Sequence, residues 1–126
     1  MSPDGNLLLF TIVHCIIGIL IAVGYEILHE YCHYFRAKQL GYKATMDLKH
    51  ACTSVDITDE NPIDKMKIAR APYMIVLPLA FSTLIIGIYF LNLGLAMGSA
   101  LTIFFHMMMY QKEGVDEEPE GEDINE

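Results

Sequence analysis

His29-Glu30-Tyr31-Cys32-His33 is an H-E-x-x-H arrangement. On a helix, residues four apart lie about 40° apart around the axis and one turn along it, so two such imidazoles reach one metal ion. Neutral imidazole nitrogen is an ordinary zinc ligand, and a catalytic zinc keeps three protein ligands and one open position. Glu30, about 100° round from His29 on a helix, flanks the metal and is placed to take a proton from a metal-activated water. Glu26 extends the cluster to an i, i+3, i+4, i+7 set with His29, Glu30 and His33. The bland alternative is a helix end whose polar side chains meet headgroups and water. Ionisable residues at the edge of an apolar helix are costly, which favours a function for them.

The elements that must hold this cluster are apolar. In 126 residues, 53% are hydrophobic and only 19% charged. Leu7 to Tyr25 contains no Asp, Glu, Lys or Arg, and neither does Pro72 to Gln111. About 20 apolar residues cross a bilayer as a helix, so the second run has room for two crossings. Asn92-Leu93-Gly94 is the turn expected to divide it. The fold class is therefore an all-α integral membrane protein with three transmembrane helices, about 7–34, 72–91 and 94–111. Pro72 suits the first turn of its helix, and Pro78 is expected to kink it. Between the first two spans, 35–71 is a cytoplasmic segment. There Tyr42, Ala44, Met46 and Leu48 alternate with polar neighbours, as do Ala51, Thr53, Val55 and Ile57, which predicts a β-hairpin insertion.

Charge sets the orientation. Arg36, Lys38, Lys43, Lys49, Lys65, Lys67 and Arg70 lie between the first and second spans, and Lys112 follows the third. All eight cations then share one side, the cytoplasm, with the N-terminus outside and the C-terminus inside. The formal charge of −8 belongs to the tail, because eight of the sixteen acids lie from Glu113 onward. Residues 1–111 form the membrane domain and 112–126 an acidic tail whose composition predicts disorder. No basic platform for nucleic acid is present in the sequence. A cleaved signal peptide is disfavoured, since residues 1–6 carry no positive charge and the first apolar run is too long. Cys15 falls in a span and Cys32 and Cys52 on the cytoplasmic side, which argues against a disulfide framework. The bilayer is the expected partner and the plasma membrane of a prokaryote the expected location.

The stretch HEYCHYFRAKQLGYK resembles the site-2 protease-like intramembrane zinc metallopeptidases, especially their small zincin-like branch. The likeness lies in H-E-x-x-H near the end of the first span, the Ala-Lys-x-Leu-Gly-Tyr-Lys run, a short β-rich segment and Ala71-Pro72-Tyr73 before the next span. It implies one zinc ion held by His29 and His33, with Glu30 as general base, hydrolysing peptide bonds of membrane-protein or peptide substrates. The family's third ligand, an Asp in a later span, has no counterpart, because Ala71 to Lys112 contains no Asp or Glu. Asp64, in Asn61-Pro62-Ile63-Asp64, precedes the second span and does not take the role. His106 is the favoured substitute and Glu113 the other. Counted from the expected span starts, His29 lies about 33 Å along its helix, His106 about 18 Å and Glu113 about 28 Å. Helix tilt leaves that comparison open. The runner-up function is a non-catalytic zinc-binding membrane adaptor or pseudoprotease, and a metal-handling subunit is a third.

Other residues carry weaker signals. His14 reads as a hydrogen-bonded packing residue, His50 as a loop tip and Cys32 as a small interface residue. Gly94, Gly98 and Thr102 form a small-residue stripe for close helix packing. Met107, Met108 and Met109 read as a lipid-facing run.

Overall fold

The computed structural model describes residues 2–50, 52–56 and 61–112. The element order is α1 (Pro3–Gln39), β1 (Lys43–Asp47), β2 (Cys52–Asp56), α2 (Pro62–Tyr89) and α3 (Leu93–Lys112). All three helices are long and apolar enough to cross a membrane. The expected tail, and Glu113 with it, lies outside the described residues.

Local chemistry sets each boundary. Ser2 caps α1 by accepting from the Gly5 N–H, with Pro3 opening the helix. At its other end the Tyr42 N–H returns to the Ala37 carbonyl and the Gly41 N–H to that of Lys38, with Gly41 at φ +88°. This is a Schellman closure, in which glycine relieves the left-handed position. Asn61 caps α2 through the Ile63 N–H, with Pro62 at the first helical position. The second helix thus starts ten residues before the expected span, and Pro72 lies inside it rather than in its first turn. The turn into α3 is also displaced. It is centred on Leu91, at φ 53°, while Asn92 caps α3 by accepting from the Leu95 N–H. Gly94 belongs to the helix.

The three helices pack as a triangle in which α1 and α3 run the same way and α2 runs against them. Close approach of α1 and α3 depends on missing side chains. A Cβ on Gly94 would sit 2.9 Å from the His14 carbonyl, and one on Gly98 would sit 2.6 Å from that of Gly18. The small-residue stripe is a packing seam, as expected. A hydroxyl chain ties all three helices together: Tyr25 Oη lies 2.7 Å from Thr83 Oγ1, which lies 2.8 Å from Ser99 Oγ. Beside it, Tyr25, Cys32, Val76, Ala80 and Ile103 form an apolar cluster.

β1 and β2 form the antiparallel hairpin, with Ala44 opposite Val55 and Met46 opposite Thr53. Its inner face follows the expected alternation. Ala44 is buried with Ala37 and Ile68, and the Thr53 hydroxyl donates to the Glu30 carbonyl at 3.0 Å. The hairpin therefore docks on the α1 segment that carries the motif. At its turn, exposed His50 bonds the Asp47 carboxylate, which holds that carboxyl below its usual range.

Candidate functional site

Three imidazoles meet where α1, α2 and α3 converge. The His29 ring centre lies 4.7 Å from that of His33 and 4.8 Å from that of His106. His29 is 1% exposed and His106 0%. Helical spacing brings His29 and His33 together, and the Gly94–Gly98 seam brings α3 close enough for His106 to reach His29.

Hydrogen bonds orient two of the rings. His33 Nδ1 donates to the Ile68 carbonyl of α2 at 2.9 Å. That carbonyl is the one whose helical donor would be residue 72, and Pro72 has no N–H to give. The proline thus leaves an acceptor in α2 for a histidine of α1. His106 Nδ1 donates to the Thr102 carbonyl at 2.8 Å. A carbonyl only accepts, so both Nδ1 atoms carry hydrogen and both neutral rings present a bare Nε2. Metal-ligating histidines are commonly held in this way, with the second ring nitrogen bonded to a carbonyl.

Two nitrogens are left over. His106 Nε2 and His29 Nδ1 are buried with no hydrogen-bond partner among the described residues. Leaving a buried polar atom unpaired costs about 1–3 kcal/mol, so a pair in one cluster calls for a ligand or a charge to meet them. The third contact, His29 Nε2 to His33 Nε2, is 3.0 Å. Two nitrogens bound to one tetrahedral zinc at about 2.0–2.1 Å would be about 3.3 Å apart. Among the described residues, no group of three His, Cys, Asp or Glu is arranged to hold a metal as it stands. His29 and His33 are bonded to each other instead of facing a common point. The tautomers of His33 and His106 are those of metal ligands, whereas His29 Nε2, facing the bare Nε2 of His33, carries the hydrogen and would have to give it up to a metal.

Around the rings, Tyr73 of α2 packs edge-on to His29 at 5.4 Å and to His106 at 6.1 Å, with Tyr110 a further 5.1 Å from Tyr73. Sequence reasoning used Tyr73 only as a marker of helix entry. Its one signal is a position immediately after the proline. Glu26 Oε1 lies 3.8 Å from His106 Nδ1. Glu30 is half-buried next to His29, on the segment gripped by Thr53.

The other singled-out residues lie elsewhere. Cys32 is in the apolar cluster, and His14 bonds the Phe10 carbonyl at 2.8 Å. Asp64 accepts from Tyr42 Oη at 2.7 Å in the first turn of α2. Met107 and Met108 are exposed on α3. Comparison with protein-family models, curated proteins and solved structures finds no match, so the resemblance to the site-2 protease-like family stands on the motif residues quoted for it.

Proposed function

We propose that the protein is an integral membrane zinc metallopeptidase, with His29, His33 and His106 as metal ligands and Glu30 as general base. The observation that carries the proposal is the buried, unpartnered Nε2 of His106 beside the H-E-x-x-H pair. Membrane insertion is supported by an inverted distribution of side chains. The largest fully buried side chains include His29, His106, Thr102 and Ser99, while Leu8, Leu20, Ile85 and Phe104 stay 59–66% exposed. Such a surface suits lipid, and intramembrane ionisable groups that face the bundle interior are functional by default. All eight cations lie at the hairpin end of the bundle, which would face the cytoplasm.

A zinc ion here would supply Lewis-acid polarisation of a peptide carbonyl and acidify the attacking water. Glu30 would take the proton of that water and deliver it to the amine nitrogen as the C–N bond breaks. The hairpin beside Glu30 offers an edge on which an extended peptide could add as a strand. Glu30→Gln keeps size and shape but removes the base, so hydrolysis should fall about 10²–10⁴-fold with zinc still bound. His106→Ala should weaken zinc binding itself. Full activity in Glu30→Gln on a zinc-dependent substrate would sink the mechanism.

The second reading, a non-catalytic zinc-binding membrane protein, is favoured by one feature. Tyr73 lies over rings already 0–1% exposed, which leaves little open path to the metal. Stoichiometric zinc in a protein that cleaves no peptide across a broad membrane-substrate panel would select it.

A further inference from the structure

The expected spans, 7–34 and 72–111, hold two carboxylates and no Lys or Arg. Both carboxylates, Glu26 and Glu30, are on α1, and both lie within one turn of His29. Glu30 is the proposed general base, whereas Glu26 has no part in that mechanism. Ionisable side chains in an apolar helix are costly, and like charges four residues apart on one helix destabilise it further. Arg36, the first cation along α1, is ten residues beyond Glu26, about 15 Å of helix. Two acids spaced in this way serve packing badly and suit a site that faces a cation.

Glu26 does face the histidine cluster. Its Oε1 lies 3.8 Å from Nδ1 of His106, whose side chain is fully buried, while the Glu26 side chain is 42% exposed. That separation is too long for a hydrogen bond. The Nδ1 hydrogen goes instead to the Thr102 carbonyl at 2.8 Å, so the ring is oriented without Glu26. Nor is Glu26 placed as a ligand, because its contact is with Nδ1 and not with the bare Nε2. What it brings to His106 is charge. Beside it, His106 Nε2 and His29 Nδ1 are buried with no partner among the described residues. Imidazole suits zinc and copper alike, and a neutral ring does not tell a doubly charged ion from a singly charged one by charge. A carboxylate does, because its attraction scales with the charge of the ion. We infer that Glu26 is the counter-charge of the metal centre and biases its three histidines toward a doubly charged ion over Cu⁺. The inference rests on the metal part of the proposed function and is independent of the peptidase part.

The test reads metal binding rather than hydrolysis, in the full-length protein on a cysteine-free background. Zinc affinity is measured by competition with a chelator. The midpoint potential of copper bound in place of zinc is read from the nitrogen-coupled electron paramagnetic resonance signal of Cu²⁺. Glu26→Gln should weaken zinc binding about tenfold. A singly charged ion feels half the attraction, so Cu⁺ should lose only about threefold. The same difference between Cu²⁺ and Cu⁺ should raise the copper potential by about 30 mV, at about 59 mV per tenfold for one electron. Glu26→Asp keeps the charge and should stay near wild type in both measurements. Unchanged zinc affinity in Glu26→Gln overturns the inference. So does a loss of zinc with no shift in potential, or an equal loss in Glu26→Asp, because shape rather than charge then explains the effect. If Glu26→Gln loses helix content by circular dichroism, Glu26→Cys decides. Modified with an anionic sulfonatoethyl reagent it should bind zinc about tenfold more tightly than when modified with the neutral hydroxyethyl reagent, and equal binding refutes the counter-charge. Failure of the metal reading shows separately, as wild type that binds zinc no more tightly than His106→Ala.

Discussion

Adding one methyl group at Gly98 should force α1 and α3 apart and loosen the histidine cluster two turns away. A Cβ there would lie 2.6 Å from the Gly18 carbonyl oxygen and 2.9 Å from Ile21 Cβ, against the 3.4 Å at which ordinary contact begins. Reaching that distance from the carbonyl requires about 0.8 Å of separation, and the obstacle is backbone rather than a flexible side-chain end. Overpacking of this kind costs about 1–3 kcal/mol. Alanine recovers about 0.5–1 kcal/mol over glycine in a helix interior, so overpacking wins and the net effect is destabilising. Gly24→Ala is the control, because nothing lies within 4 Å of its Cβ and only the helix gain remains. Unfolding in mixed detergent–SDS micelles, followed by circular dichroism, should therefore shift in opposite directions for the two variants. The displacement also exceeds the about 0.5 Å within which a site must be held, so zinc affinity should fall in Gly98→Ala and not in Gly24→Ala. Equal stability and equal zinc affinity in the two variants would refute the close-packed seam.

Three further outcomes follow from the same geometry. Thr83→Val severs the hydroxyl chain between Tyr25 and Ser99 and should lower stability by about 0.5–2 kcal/mol in the same unfolding assay; no change would mean that the chain holds nothing together. Pro72→Ala restores an N–H that competes for the Ile68 carbonyl. Nitrogen-15 NMR of His33 should then show loss of the pure Nδ1–H tautomer, and an unchanged spectrum would remove the proline from any part in orienting the ring. Cysteines placed at Gly5 and Lys112 in a cysteine-free background should label from opposite sides of sealed vesicles, and same-side labelling would end the three-span arrangement.

Hydropathy made three apolar helices legible, and alternation made the hairpin legible, since both report which faces avoid water. Charge content places the start of α2 too late. By charge alone Asp64, Lys65, Lys67 and Arg70 read as a loop, although Asn61-Pro62 is a cap followed by a first-turn proline. A helix that continues beyond its apolar stretch carries charges without ending. The same assumption put Pro72 at a helix start, where a missing N–H has no consequence. Inside the helix, that missing N–H exposes a carbonyl to His33.

The candidate site was legible in kind but not in depth. Counting from the expected span starts set His106 about 15 Å short of His29, yet their rings are 4.8 Å apart. The error lies in treating the starts as level. Gly94, next to the first residue of α3, packs against the His14 carbonyl, so α1 begins about three turns before α3 does. Measured from that contact, His29 is about 22 Å along α1 and His106 about 18 Å along α3, a difference of less than one turn. The glycine stripe was therefore the ruler for the site. Its spacing marks where two helices touch, and a contact point, unlike a span boundary, transfers depth from one helix to another. Pairing Gly94 and Gly98 with Gly18 sets His106 level with the motif.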